Sequence, residues 1–178
     1  MPAASVTDLL HLAIACTLVG HPLLNAAWSD EVVPSEAVNL AFVVEGADGM
    51  LTPSIIGADR RDLAGLAAER IRLTAAALAG RLRGEELLSG TFTVSNLGPL
   101  GIHRFRAMVL PPQAAILAVG APDPAGRLTL TLTCDHRIVD GAPAARFLAD
   151  LGARLADRTW LAEAAGNPAA SHPTGADQ

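Results

Sequence analysis

The residues best placed to do chemistry are His136 and Asp140, in the run Cys134-Asp135-His136-Arg137-Ile138-Val139-Asp140-Gly141. An alternating segment, Arg127 to Thr133, precedes this run and an amphipathic one follows it. The pattern therefore sets His136 where a strand ends and a helix begins. A side chain at such a junction stands on exposed backbone held by rigid elements on both sides. Imidazole takes and returns a proton near neutral pH, which makes His136 a candidate general base. Asp140, four residues on, is placed to organise the turn or to neutralise a neighbouring cation. On pattern alone, an ordinary turn histidine also fits.

The elements that must position these residues are legible in the apolar periodicity. Ser5-Val6-Thr7-Asp8 reads as a capping start, and Leu9 to Val19 follows at helical spacing until Gly20 and Pro22 stop it. That helix is apolar on more than one face, which fits burial or an interface. Short strands are expected over Val38 to Val44 and Met50 to Ile56. Asp62 caps a long helix expected to run to about Arg83. The chain then becomes strand-rich, with Thr91 to Asn96, Arg104 to Leu110, Ala114 to Gly120 and Arg127 to Cys134. Pro143 sits in the first turn of a last helix that buries Ala144, Phe147, Leu148, Leu151 and Leu155. Strands mixed with helices through long connections argue an α+β fold with a mixed sheet. One domain over residues 1–165 is expected, with residues 166–178, polar and turn-rich, as a disordered tail.

Composition removes several classes of function. All 13 basic residues are arginine. A Schiff-base lysine, a P-loop lysine and a lipoyl-lysine on this chain are therefore excluded. The net charge of −5 and the scattered arginines leave no footprint for nucleic acid. Cys16 and Cys134 lack metal-ligand spacing, so no metal is expected and the thiols read as reduced. The apolar stretch Leu9 to Leu24 is too short and interrupted for a membrane span, and no basic start marks a secretory leader. A cytoplasmic protein is expected. Among the other histidines, His11 reads as a satisfied core or interface residue and His21 as a helix-end residue.

The run Asp135 to Gly141 resembles the histidine signature of the acyltransferases of 2-oxo acid dehydrogenase complexes, the E2 components. A shorter form of it occurs in chloramphenicol acetyltransferase, which shares their fold. Gly90-Thr91-Phe92-Thr93-Val94-Ser95-Asn96-Leu97-Gly98 resembles that family's serine-bearing strand, and Pro111 to Gly120 resembles the strand after it. The similarity runs from about Val6 to Leu161, so it enters the family's catalytic domain partway, without the usual N-terminal segment.

The resemblance implies a chloramphenicol acetyltransferase-like two-layer sandwich, a mixed β-sheet with packed helices. It implies acyl transfer between a dihydrolipoyl or other carrier thiol and coenzyme A. His136 would be the general base, Ser95 the donor to the oxyanion, and Asp140 a structural or electrostatic partner of an arginine. Asn96, Gly98 and His103 would be substrate-binding, although Asn96 and Gly98 also suit a turn and His103 a solvated loop. Coenzyme A would be a substrate, and the lipoyl group would arrive on another protein or domain, with a dehydrogenase as a further partner. A homotrimer is implied, with His136 and Ser95 meeting from different chains; the polar tail argues against further assembly into a closed cage. Two other readings stand beside this one. One is a non-catalytic core or scaffold subunit, or a truncated remnant, and the other is acyl-coenzyme A-dependent transfer to a biosynthetic carrier or small acceptor.

Overall fold

A computed structural model describes residues 4–46 and 49–166. Helix α1, Val6–Leu18, starts where the sequence places it, with a complete capping box. The Ser5 hydroxyl accepts from the Asp8 amide at 3.3 Å, and the Asp8 carboxylate accepts from the Ser5 amide at 2.8 Å. Every residue of α1 from Leu10 to Leu18 is buried, because the helix lies between the sheet on one side and two later helices on the others. Its all-round apolar character is thus used within this one chain.

Next comes a hairpin, β1 (Ala26–Ser29) and β2 (Glu31–Pro34), turning at Asp30 with φ 62°. Aspartate tolerates that left-handed conformation better than most side chains. The apolar run after it divides into β3 (Leu40–Phe42) and β4 (Val44–Gly46), and the following segment into β5 (Gly49–Leu51) and β6 (Ser54–Ile55). Strand β4 turns away with β5 as a separate two-stranded ribbon.

Helix α2 spans Leu63–Leu78 and stops short of Arg83. Gly80 takes φ 64° there, and the Arg81 amide bonds back to the Ala76 carbonyl. The chain re-enters a helix at α3, Gly84–Leu88, gathered by Glu86. That carboxylate is 1% exposed, accepts from the Arg83 amide and pairs with Arg72 at 2.6 Å and Arg83 at 2.7 Å.

The main sheet is completed by β7 (Phe92–Asn96), β8 (Ala115–Val119) and β9 (Leu130–Cys134), in the order β6-β3-β7-β8-β9. Strands β3, β7 and β8 run parallel, while β6 and β9 are antiparallel edges. The sheet is mixed, as expected. Helix α4, Gly141–Ala156, carries Pro143 in its first turn and buries Phe147 and Leu151 completely. The Phe147 ring meets Phe92 with centroids 5.8 Å apart, joining α4 to the middle of the sheet. A last helix, α5, Arg158–Gly166, closes the described chain. The expected tail from 167 onward lies outside the described residues.

One expected strand is absent. The segment expected as a strand, Arg104 to Leu110, alternates in exposure over 104–109, yet belongs to no ladder. The reason is a missing partner: none of its amides finds a backbone acceptor among the described residues.

Candidate active site

Strand β9 ends at Cys134, and after Asp135 the chain makes a tight turn at residues 136–138. The Ile138 and Val139 amides both donate to the Asp135 carbonyl at 3.0 Å, and the Asp135 amide donates to Ala114 at the start of β8. Ile138 and Val139 are buried, so the turn is anchored from below and His136 is pushed outward. Its side chain is 84% exposed. The Asp140 carboxylate caps nothing and faces His136 Nδ1 at 3.5 Å. That leaves Nε2 as the ring nitrogen open to a substrate.

No arginine among the described residues pairs with Asp140. Arg137 grips the Asp135 carboxylate at 2.6 Å, holding it down at about 2, and lies over the Trp28 ring at 4.9 Å. Burial pushes the Cys134 thiol up to about 11, so the cysteine beside the histidine stays a thiol at neutral pH.

Ser95 sits on β7, 9% exposed, and its hydroxyl has no hydrogen bond among the described residues. Thr93, two residues earlier on the same face, gives its hydroxyl to Gln113 at 2.6 Å, and Gln113 in turn donates to the Gly90 carbonyl. The serine is therefore available to a ligand, and its neighbour on the strand is not.

Within one chain Ser95 and His136 lie at opposite ends of the sheet. Ser95 pairs with Ala118, and Ala118 with Thr131. His136 is five residues beyond Thr131, past the far end of β9. The strand portion alone, Thr131 to Cys134, spans about 10 Å at ~3.3 Å per residue, and two interstrand spacings lie across it. The two groups cannot act on one reacting atom in the same chain.

The other expected residues serve the loop after β7. Asn96 accepts from the Gly98 amide at 2.9 Å and reaches Thr7 of α1 at 3.4 Å, so its amide ties a turn to a helix. Gly98 opens a single 3₁₀ turn ending at Gly101, which takes φ 78°. His103 is exposed on the extended segment, its Nδ1 3.4 Å from the Ala121 carbonyl. The chain crosses Gly120 here so closely that a Cβ on Gly120 would overlap the His103 carbonyl. Reading by residue type gave no role to Trp28 or Gln113. Gln113 stands in the quoted Pro-Pro-Gln run, and Trp28 follows Asn25-Ala26-Ala27 in a hairpin too short for a periodic signal. Among the described residues no group of three or more histidine, cysteine or carboxylate side chains is arranged to hold a metal ion.

The fold has counterparts among known proteins. The chain is 38% identical over 159 residues to the mitochondrial dihydrolipoyllysine-residue acetyltransferase component of the pyruvate dehydrogenase complex of Dictyostelium discoideum, covering 81% of this chain and 25% of that protein. It is 37% identical to the corresponding Rickettsia bellii component, covering 82% and 38%. The chain thus spans between a quarter and two-fifths of these relatives. Among solved structures, the cubic core of the pyruvate dehydrogenase multienzyme complex superposes with TM-score 0.81 at 34% identity, over 89% of this chain and 71% of that one. The dihydrolipoamide acetyltransferase of Azotobacter vinelandii superposes equally well, and its catalytic mechanism has been probed at a serine, a histidine and an asparagine four residues after the histidine. Chloramphenicol acetyltransferase, at 17% identity and TM-score 0.55, shares the fold. The sequence profile of the 2-oxoacid dehydrogenases acyltransferase (catalytic domain) family matches residues 2–162, and the chain belongs to that family.

Proposed function

We propose that this chain moves an acyl group, acetyl in the first instance, between a dihydrolipoyl thiol and coenzyme A. The observation that carries the reading is the pairing of an outward imidazole, with Nε2 open, and an unengaged serine hydroxyl, in a chain 34% identical to an acyltransferase core. His136 Nε2 removes the proton of the attacking thiol while Asp140 faces the cation that forms on the ring. Ser95 donates to the oxygen of the tetrahedral intermediate, an interaction typically worth ~2.7–4 kcal/mol. The thiolate of the carrier leaves and takes the proton back from His136. Because the two groups stand at opposite ends of one sheet, the working site is built from His136 of one copy and Ser95 of another.

Two unused edges favour such an assembly. Residues 103–110 are extended without a ladder, and β9 is an edge strand of the main sheet. Unpaired edges invite pairing with another chain. A trimer follows the family resemblance, and the lipoyl group and the dehydrogenase are the partners it would meet.

The test is the purified chain with acetyl-coenzyme A and dihydrolipoamide. Turnover is expected, and His136→Ala should lower it by ~10²–10⁴-fold with little change in unfolding midpoint, since the side chain is exposed. Wild-type turnover in that variant overturns the assignment. An assembled protein with no turnover favours a non-catalytic core subunit. Transfer to other thiols but not dihydrolipoamide favours the biosynthetic acceptor.

A further inference from the structure

A pocket of about 240 Å³ lies on the face of β7 opposite Ser95, where Val94 and Asn96 point towards α1 and α2. His11 and Arg70 line it together with Phe42, Val44 and Val94. Of the satisfied core or interface histidine expected at position 11, the structure shows the core placement but not the satisfied ring. His11 is 2% exposed, yet its Nδ1 is shielded from water and has no partner among the described residues. A buried polar atom left in that state is destabilising unless something pairs with it. Arg70 is only half used. Its Nε and Nη2 grip the buried Asp8 carboxylate, while Nη1 has no acceptor among the described residues.

We propose that this pocket binds a short-chain monocarboxylate, the carboxylate held by Arg70 and a protonated His11 and the alkyl chain lying against Phe42, Val44 and Val94. The charges favour one negative unit. Asp8 of α1 and Arg70 of α2 are the charged groups facing His11, and they neutralise each other. Phe42 and Val94 contribute none from the sheet. A proton on His11 therefore leaves one positive charge, which one carboxylate cancels. Phosphate has no alkyl chain and would leave the apolar wall unused. An uncharged amide would leave the imidazolium uncompensated. The pocket admits an acid of a few carbons and is too small for a coenzyme. Burial holds His11 down to about 4, so in the absence of ligand it is neutral at pH 6, and binding must draw in a proton.

The experiment uses the whole chain in carboxylate-free buffer near pH 6, titrated with butyrate. The His11 ring is followed by NMR, its signal identified as the one missing from the spectrum of His11→Leu. Its signal is expected to move, saturably, towards the protonated position. Calorimetry in two buffers of different ionisation enthalpy should give close to one proton taken up per butyrate. Butyramide and inorganic phosphate should do neither, and His11→Leu should weaken butyrate binding by at least roughly tenfold. A His11 signal that butyrate leaves unmoved overturns the proposal. So does an equal response to butyramide, which marks an apolar cavity without ion recognition. Binding is read here without turnover, so the outcome is independent of the acyl-transfer assignment.

Discussion

At the scale of single residues, the two candidate catalytic groups differ in how firmly the fold prepares them. Ser95 is nearly buried on a central strand with its hydroxyl unengaged, a preorganised donor. Ser95→Ala is therefore expected to lower kcat by ~10²–10³-fold while KM stays within a few-fold, because the donor acts mainly on the transition state. Steady-state kinetics checks this, and a selective rise in KM would make Ser95 a binding residue instead. Asp140 is a weaker partner. It is 81% exposed and 3.5 Å from the imidazole, and exposed pairs contribute only ~0–1 kcal/mol. Asp140→Asn should cost less than about tenfold in turnover, consistent with an asparagine following the histidine at the same spacing in the Azotobacter vinelandii relative. A loss as large as that of His136→Ala would show that Asp140 acquires a second partner in the assembly.

At the scale of elements, α1 is held by the buried Asp8–Arg70 pair as well as by apolar packing. Asp8 is 0% exposed, and although burial works against it, hydrogen bonds from Arg70 and Ser5 hold its carboxyl below the ordinary range. Asp8→Asn should destabilise the protein by ~3–5 kcal/mol, because it leaves Arg70 without its counter-charge. Urea unfolding reads this directly. His11, on the next turn of the same helix, makes the fold acid-sensitive. Burial, opposed by Asp8 and aided by Arg70, lowers its folded value from 6.5 to about 4. Between those values the unfolded state binds the extra proton, so stability falls as the pH drops through this window, by about 3 kcal/mol in all. Below 3.8, loss of the Asp8 charge adds to the fall. In carboxylate-free buffers His11→Leu should flatten the slope between pH 6.5 and 4, and an unchanged slope would place the acid sensitivity elsewhere.

At the scale of the whole molecule, the proposed shared site makes a prediction that a single chain cannot satisfy. His136→Ala and Ser95→Ala proteins, each strongly impaired, should regain part of the wild-type turnover when unfolded together and reassembled. Some mixed oligomers then pair an intact His136 with an intact Ser95. No recovery in mixed particles would place both groups' action within one chain. Light scattering should give the mass of three chains. The mass of one chain would remove the partner that the site requires, and a very large particle would mean that trimers join into a cage as in the cubic core.

Local chemistry alone determined much of this protein. The capping box at Ser5, the proline in the first turn of α4 and the periodicities of α1, β7, β8 and α4 were legible because each depends on residues within a few positions of one another. The turn that lifts His136 was legible for the same reason: Ile138 and Val139 must be buried, and the histidine must then face outward. The tertiary structure decided what depends on distant neighbours. Gly80 ended α2 before Arg83, and Glu86 gathered a new helix by pairing with Arg72 across the gap. Residues 104–110 have the pattern of a strand but no partner among the described residues, and a ladder needs two strands. The separation of Ser95 from His136 follows from strand order and register, which pair residues remote in sequence and which no local spacing encodes.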